Sequence, residues 1–145
     1  MAENRPPITS RQQTLQQQRA NHAWKAICEV ENSPSQCRKE YGSLVRGLPA
    51  MIQRDGLGPV LAFLNAKAKD VKVSAHRLAF THVGTWVYAH LTGNREKQAP
   101  DVMQWLMELD SVAYRRATSE AQAYLLWLKR FAEAKGWSDE NAVQS

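Results

Sequence analysis

The stretch Tyr41–Leu64, YGSLVRGLPAMIQRDGLGPVLAFL, constrains the fold more than any other. It encodes two apolar-faced helices turned back on each other through Asp55-Gly56-Leu57-Gly58-Pro59. Gly56 suits the left-handed position just past a helix end, where a residue without Cβ has no steric penalty. Leu57 then falls where a C-terminal cap sets its hydrophobic contact, back onto Ile52. Pro59 suits the first position of the next helix, because an N–H there would lack an intrahelical partner anyway. Arg46 and Arg54 project from the first helix. Such a hairpin cannot bury its two apolar faces alone, so the rest of the chain must supply surfaces for them.

The chain in order supplies them as further helices. The segment 1–9, with Pro6-Pro7, is expected to be flexible. From about Ser10 to Glu31, Leu15, Arg19, Ala23 and Ile27 recur every fourth residue, with Ala20, Trp24 and Val30 widening the face. Asn32-Ser33-Pro34-Ser35 breaks this helix, and Ser35 is placed to cap the next. The second helix carries Tyr41, Leu44, Val45, Leu48 and Ile52. Pro49 should kink it or split it near Gly47-Leu48.

The third helix runs from Pro59 to about Ala68, and a basic loop, Lys67–Val73, follows. A fourth spans Ser74 to Leu91 with Leu78, Phe80, Val83, Val87 and Leu91 inward, and Gly93-Asn94 stops it. A fifth opens at Pro100-Asp101 and reaches Arg116. Thr118 then caps a sixth, with Glu120 in its first turn and the stripe Ala121, Tyr124, Leu125, Leu128, Phe131, Ala132. Gly136 ends that helix, and Trp137 takes the cap contact. No segment alternates with period two, and no repeat is evident. The expectation is an all-α, compact single-domain bundle of about six helices without a sheet. The domain spans 10–137, with a flexible tail at 138–145.

Length and composition fit this plan. The 145 residues suffice for one core, and 43% hydrophobic with 23% charged residues is ordinary for a globular chain. The longest apolar runs, Pro59–Leu64 and Tyr124–Leu128, fall far short of the roughly 18 residues a membrane span needs. MAENRPPITS lacks the apolar core of a signal peptide, so a cytoplasmic location is expected, with no membrane partner. Cys28 and Cys37 are too few for a disulfide framework and are read as free thiols.

Charge carries the functional signal. Between Gln36 and Arg77, eight basic residues face only Glu40, Asp55 and Asp70, which accounts for the whole net charge of +5. A field of this kind attracts polyanions, above all nucleic acid; a merely solvated basic face is the alternative. The candidates for backbone contact are Arg38, Lys39, Arg46, Arg54, Lys67 and Lys69, with the doublets Arg115-Arg116 and Lys129-Arg130. Arg19, inside an apolar stripe, either pairs with a carboxylate as a structural group or lines a groove for a ligand phosphate.

Enzymatic chemistry finds little support. Of His22, His76, His82 and His90, only His82 and His90 share a helix face, at a spacing too long for one metal. No carboxylate pair or phosphate loop is evident, so no catalytic residues, cofactor or metal are expected. A helix-turn-helix regulator of DNA is the rival reading of the opening hairpin. Against it, the second helix begins Pro59, Val60, Leu61, which belong in a core rather than against base edges.

Three blocks, TLQQQRANHAWKAI, YGSLVRGLPAMIQRDGLGPVLAFLNAK and YRRATSEAQAYLLWLKRFAEA, together resemble the small subunit of type III-B CRISPR effectors, the Cmr small-subunit family. The combination of LPAMI, GL with LAFL, T-x-EA and WLKRFA is specific, and the blocks cover most of the folded chain. Asp55 departs from the uncharged polar residue usual before the turn glycine. The N-terminal extension and the Lys67–Val73 loop lie outside the pattern.

The resemblance implies a non-catalytic α-helical subunit of a ribonucleoprotein for antiviral defence. Copies would stack head to tail beside the Cmr backbone subunits that hold guide RNA. They would contact target RNA through its backbone and meet the large polymerase-like Cmr subunit. Guide–target pairing would then carry the sequence specificity.

Overall fold

A computed structural model describes residues 13–68, 74–93 and 101–137. Among them are six helices and no strand: α1 (Leu15–Glu31), α2 (Ser35–Asp55), α3 (Leu57–Ala68), α4 (Ala75–Thr92), α5 (Val102–Met107) and α6 (Ser111–Ala134). The all-α expectation holds. The segments 1–9 and 138–145, expected to be flexible, lie outside the described residues, as do Lys69 and most of the basic loop that contains it.

Helix ends follow local chemistry, in places not where the periodicity suggested. α1 starts at Leu15 rather than Ser10, because Thr14 and Gln17 form a reciprocal capping box. α2 begins at Ser35 itself, with Pro34 at the cap position and no side-chain cap bond, so Ser35 does not cap. Pro49 does not split α2, which runs unbroken to Asp55. Its flanks, Leu48 and Ile52, are buried, and that packing outweighs the one backbone bond a proline forfeits.

The turn after α2 is tighter than expected. Gly56 alone separates α2 from α3, and Pro59 is the third residue of α3 rather than its first. Gly56 has φ 96° and ψ 159°, a positive φ as expected but with extended ψ, a region open essentially only to glycine. Its N–H closes α2 on the Ile52 carbonyl at 2.7 Å, and Leu57 and Ile52 are both buried in the core.

The expected boundary at Thr118 is wrong. α5 stops at Met107, and Asp110 caps α6 by accepting from the Ala113 N–H at 2.8 Å. Thr118 sits inside α6 and donates back to the Tyr114 carbonyl. At the far end the cap is as expected. Gly136 donates to the Glu133 carbonyl and Trp137 to the Ala132 carbonyl, both at 3.0 Å, and Trp137 is buried.

The core gathers from every helix: Ile27 and Val30 of α1, Tyr41, Val45 and Leu48 of α2, Leu57 and Leu64 of α3, Trp86 of α4, Leu106 of α5, Leu125 and Leu128 of α6. α6 packs along both α1 and α2, and α4 packs against α2, α3 and α6. Val83 and Val87 of α4 are buried as expected, but the inward face is broader on one side and narrower on the other. Ala79, His82 and Trp86 are buried, whereas Leu78, Phe80 and Leu91 are only partly covered. Gly42 is required where α2 meets the end of α6, since a Cβ there would overlap the Trp137 carbonyl.

Candidate nucleic-acid interface

Three contacts set α2 and the start of α3 antiparallel to α6. Gly42 lies on the Trp137 backbone, Gln122 Nε2 donates to the Pro49 carbonyl at 3.0 Å, and the Gly58 N–H donates to Tyr114 Oη at 2.8 Å. This register brings Arg46 level with the Leu126–Lys129 turn of α6. Lys39 and Arg46, seven residues apart, fall within about 20° of each other on α2. They lie opposite its buried residues Tyr41, Val45, Leu48 and Ile52. On α6, Arg115, Gln122 and Lys129 recur every seven residues, within about 40°, and Gln122 turns that side toward α2. Two basic rows therefore rim the seam between α2 and α6.

The candidates do not all share this seam. Arg38 and Arg54 lie about 80° to either side of Arg46 around α2. Arg38 Nη1 is held by the Ser33 carbonyl at 2.6 Å. Arg54 makes two hydrogen bonds to Asp55, at 3.0 and 2.9 Å. The pair is exposed, and these bonds raise the Arg54 pKa and lower that of Asp55. Lys67 lies on α3, with Nζ 6.0 Å over the Phe63 ring. Arg116 and Arg130 occupy the opposite shoulder of α6, and Arg130 pairs with Glu133 at 3.3 Å. None of Lys39, Arg46, Arg115, Arg116 and Lys129 meets a carboxylate within salt-bridge distance among the described residues.

Arg19 pairs with a carboxylate, the first of the two arrangements expected for it. Its Nε and Nη2 donate to the two oxygens of Glu120 at 2.6 and 2.9 Å, and Trp86 Nε1 donates to the same carboxylate at 2.8 Å. His90 Nε2 is 3.5 Å away. Burial alone would raise the Glu120 pKa. The hydrogen bonds from Arg19 and Trp86, with the charges of His90 and Arg19, outweigh it and hold the carboxyl below its usual range. The hydrogen bond to Glu120 in turn raises the Arg19 pKa. Glu120 is thus a buried mid-helix residue, not the first-turn acid expected. Only its place in α6, one residue from the buried Ala121, hinted at this.

A second polar tie crosses three helices. His82 of α4 is 2.8 Å from Tyr41 Oη through Nδ1 and 2.9 Å from Glu29 through Nε2. A carboxylate only accepts, so Nε2 carries the proton and the Tyr41 hydroxyl donates to Nδ1. Desolvation raises the Tyr41 pKa and lowers that of His82, despite the opposing effect of Glu29. His22 Nδ1 lies 2.6 Å from Tyr124 Oη. These contacts are structural, and no set of three or more metal-ligating side chains converges among the described residues.

The start of α3 is built into the core. Leu57, Gly58, Val60 and Leu61 are buried, and the exposed Pro59 and Ala62 carry no polar group to offer base edges. No helix among the described residues is long and apolar enough to cross a membrane.

The family model described as CRISPR-associated protein (Cas_Cmr5) matches residues 15–135, from the first residue of α1 to the cap of α6. The CRISPR system Cmr subunit Cmr5 of Thermus thermophilus is 29% identical over 113 residues, which cover 77% of this chain and 90% of that protein. The chain belongs to the Cmr5 family of CRISPR-associated proteins.

Proposed function

We propose that this chain is the non-catalytic small subunit of a cytoplasmic type III-B Cmr ribonucleoprotein. Copies stack head to tail along the Cmr backbone subunits, in contact with the large polymerase-like subunit. They help hold target RNA paired with guide RNA through contacts to the sugar–phosphate backbone. Family membership over nearly the whole described chain supports the assignment. The observation that carries the RNA contact is the pair of basic rows along the α2–α6 seam. There Lys39, Arg46, Arg115 and Lys129 have no carboxylate partners among the described residues. Cations left unpaired on neighbouring helices can neutralise phosphates, and such contacts read charge and shape rather than sequence.

Arg38, Arg54, Lys67, Lys69, Arg116 and Arg130 contribute to the surrounding field. Arg54 acts only where a phosphate displaces Asp55, which an exposed pair permits at little cost. The test is a salt titration of the purified chain against single-stranded RNAs of unrelated sequence, followed by reconstitution with the other Cmr subunits. Weak binding of equal strength across sequences, falling steeply with salt, and incorporation into the complex are expected. Salt-insensitive or sequence-selective binding would overturn the RNA contact, and failure to incorporate would overturn the assignment.

A further inference from the structure

We infer that Leu126 is an apolar contact for bound RNA, covered by a ribose or a base while its neighbours hold phosphates. The inference rests on the RNA-binding reading above. The solvent-facing stripe of α6 from Arg115 to Arg130 consists of long polar or small side chains with one exception. Leu126 lies in the middle of that stripe and is 49% exposed. Its place in the register is level with Arg46, between Gln122, fixed to Pro49, and the Lys129-Arg130 doublet.

An isolated surface leucine is unremarkable, but this one stands beside Arg46 and Lys129, which meet no carboxylate among the described residues. Among the described residues the other exposed large hydrophobics lie elsewhere. Trp24 packs its ring edge to face with Phe131 beneath Lys135 Nζ, and Met107 and Val112 flank the α5–α6 turn. A strand whose phosphates meet Arg46 and Lys129 at the seam passes its sugars and base edges over the adjoining surface of α6, where Leu126 stands about 60° around the helix from Lys129. Apolar wedges of this size are used against nucleic acids elsewhere.

The two kinds of contact respond differently to salt, so they are separable. A phosphate contact releases counterions and sets the slope of affinity against salt, whereas an apolar contact shifts affinity equally at every salt concentration. Wild type, Leu126→Ala, Leu126→Met and Lys129→Ala are titrated against a fluorescent single-stranded RNA from low to high salt.

Leu126→Ala is expected to bind about fivefold more weakly at every salt concentration, with the wild-type slope, because about half a leucine surface is no longer covered. Leu126→Met is expected to restore most of the loss. Lys129→Ala is expected to flatten the slope by about 0.7. An unchanged affinity for Leu126→Ala alongside a flattened Lys129→Ala would overturn the inference and leave the leucine to a protein partner. No effect of either substitution, or no binding by wild type, would instead overturn the RNA-binding reading itself. A loss for Leu126→Ala accompanied by a fall in melting temperature would assign the residue to folding and also overturn the inference.

Discussion

On the side of α6 that meets α1, Arg19 gives up most of its solvent contact to make two hydrogen bonds with Glu120. On the side that meets α2, Arg115 and Lys129, with Arg46 across the seam, meet no carboxylate among the described residues. Both regions place basic side chains on helices, yet burial separates their roles. Inside, Arg19 is matched by the Glu120 carboxylate, which also accepts from Trp86, so the arrangement ties helices together. Outside, the charges are held on rigid helices and left for a polyanion. A basic residue in this fold is therefore read by its partner, not by its position in the hydrophobic pattern.

The contrast is most sharply broken from the inside. Glu120→Ala removes the counter-ion of Arg19 and the carboxylate that accepts from Trp86 Nε1 in the core. Losing one member of a buried pair costs about 3–5 kcal/mol, so chemical denaturation should show a loss of that size. RNA affinity of the fraction still folded should stay close to wild type. A loss under about 1 kcal/mol, the worth of an exposed pair, would mean that the network is solvated in solution.

The Tyr41–His82–Glu29 tie should give a smaller and pH-dependent effect. Burial lowers the folded-state pKa of His82, so the unfolded chain binds its proton first as acid is added. The stabilising contribution is complete above the unfolded value of about 6.5 and is lost as pH falls below it toward the depressed folded value. Melting temperature followed downward from neutral pH should decline in that window for wild type, and His82→Gln should flatten the decline. Tyr41→Phe should cost about 1 kcal/mol at neutral pH, the worth of one hydrogen bond, and equilibrium denaturation measures it.

On the outer surface the stability effects should be smallest of all. Arg54→Ala and Arg46→Ala should each move stability by less than about 0.5 kcal/mol. Their effects on RNA should differ, because Asp55 already neutralises Arg54 and no carboxylate among the described residues pairs with Arg46. Arg46→Ala should therefore weaken binding more than Arg54→Ala in the same titration. The reverse order would show that phosphate displaces Asp55 readily and that the Arg54 side of α2 is the main track.

Much of this was legible in the sequence, and the misses share a cause. Helix identity followed from periodicity, and the Gly136-Trp137 cap and the stop at Gly93 followed from glycine placement. The α5–α6 boundary was misplaced because Thr118 and Asp110 are both good caps locally, and only the packing of α5 against α3 and α4 selects Asp110. Glu120 and His82 were not recognisable as buried, since a buried polar residue is defined by partners distant in sequence, such as Arg19 for Glu120 and Tyr41 for His82. The same limit applies to the seam. Arg46 and Lys129 were each visible as basic residues on helices, but their shared edge depends on the antiparallel register of α2 and α6, which Gln122 and Pro49 help set.

The most direct test joins the two surfaces of that seam. The double variant Arg46→Glu with Lys129→Glu should keep the wild-type melting temperature and helical signal while losing RNA binding by about tenfold or more at low salt, as two phosphate contacts become repulsive. A variant that binds RNA as wild type does would contradict the account. So would one that loses binding only because it has unfolded, since these two side chains would then belong to the architecture, as Arg19 does.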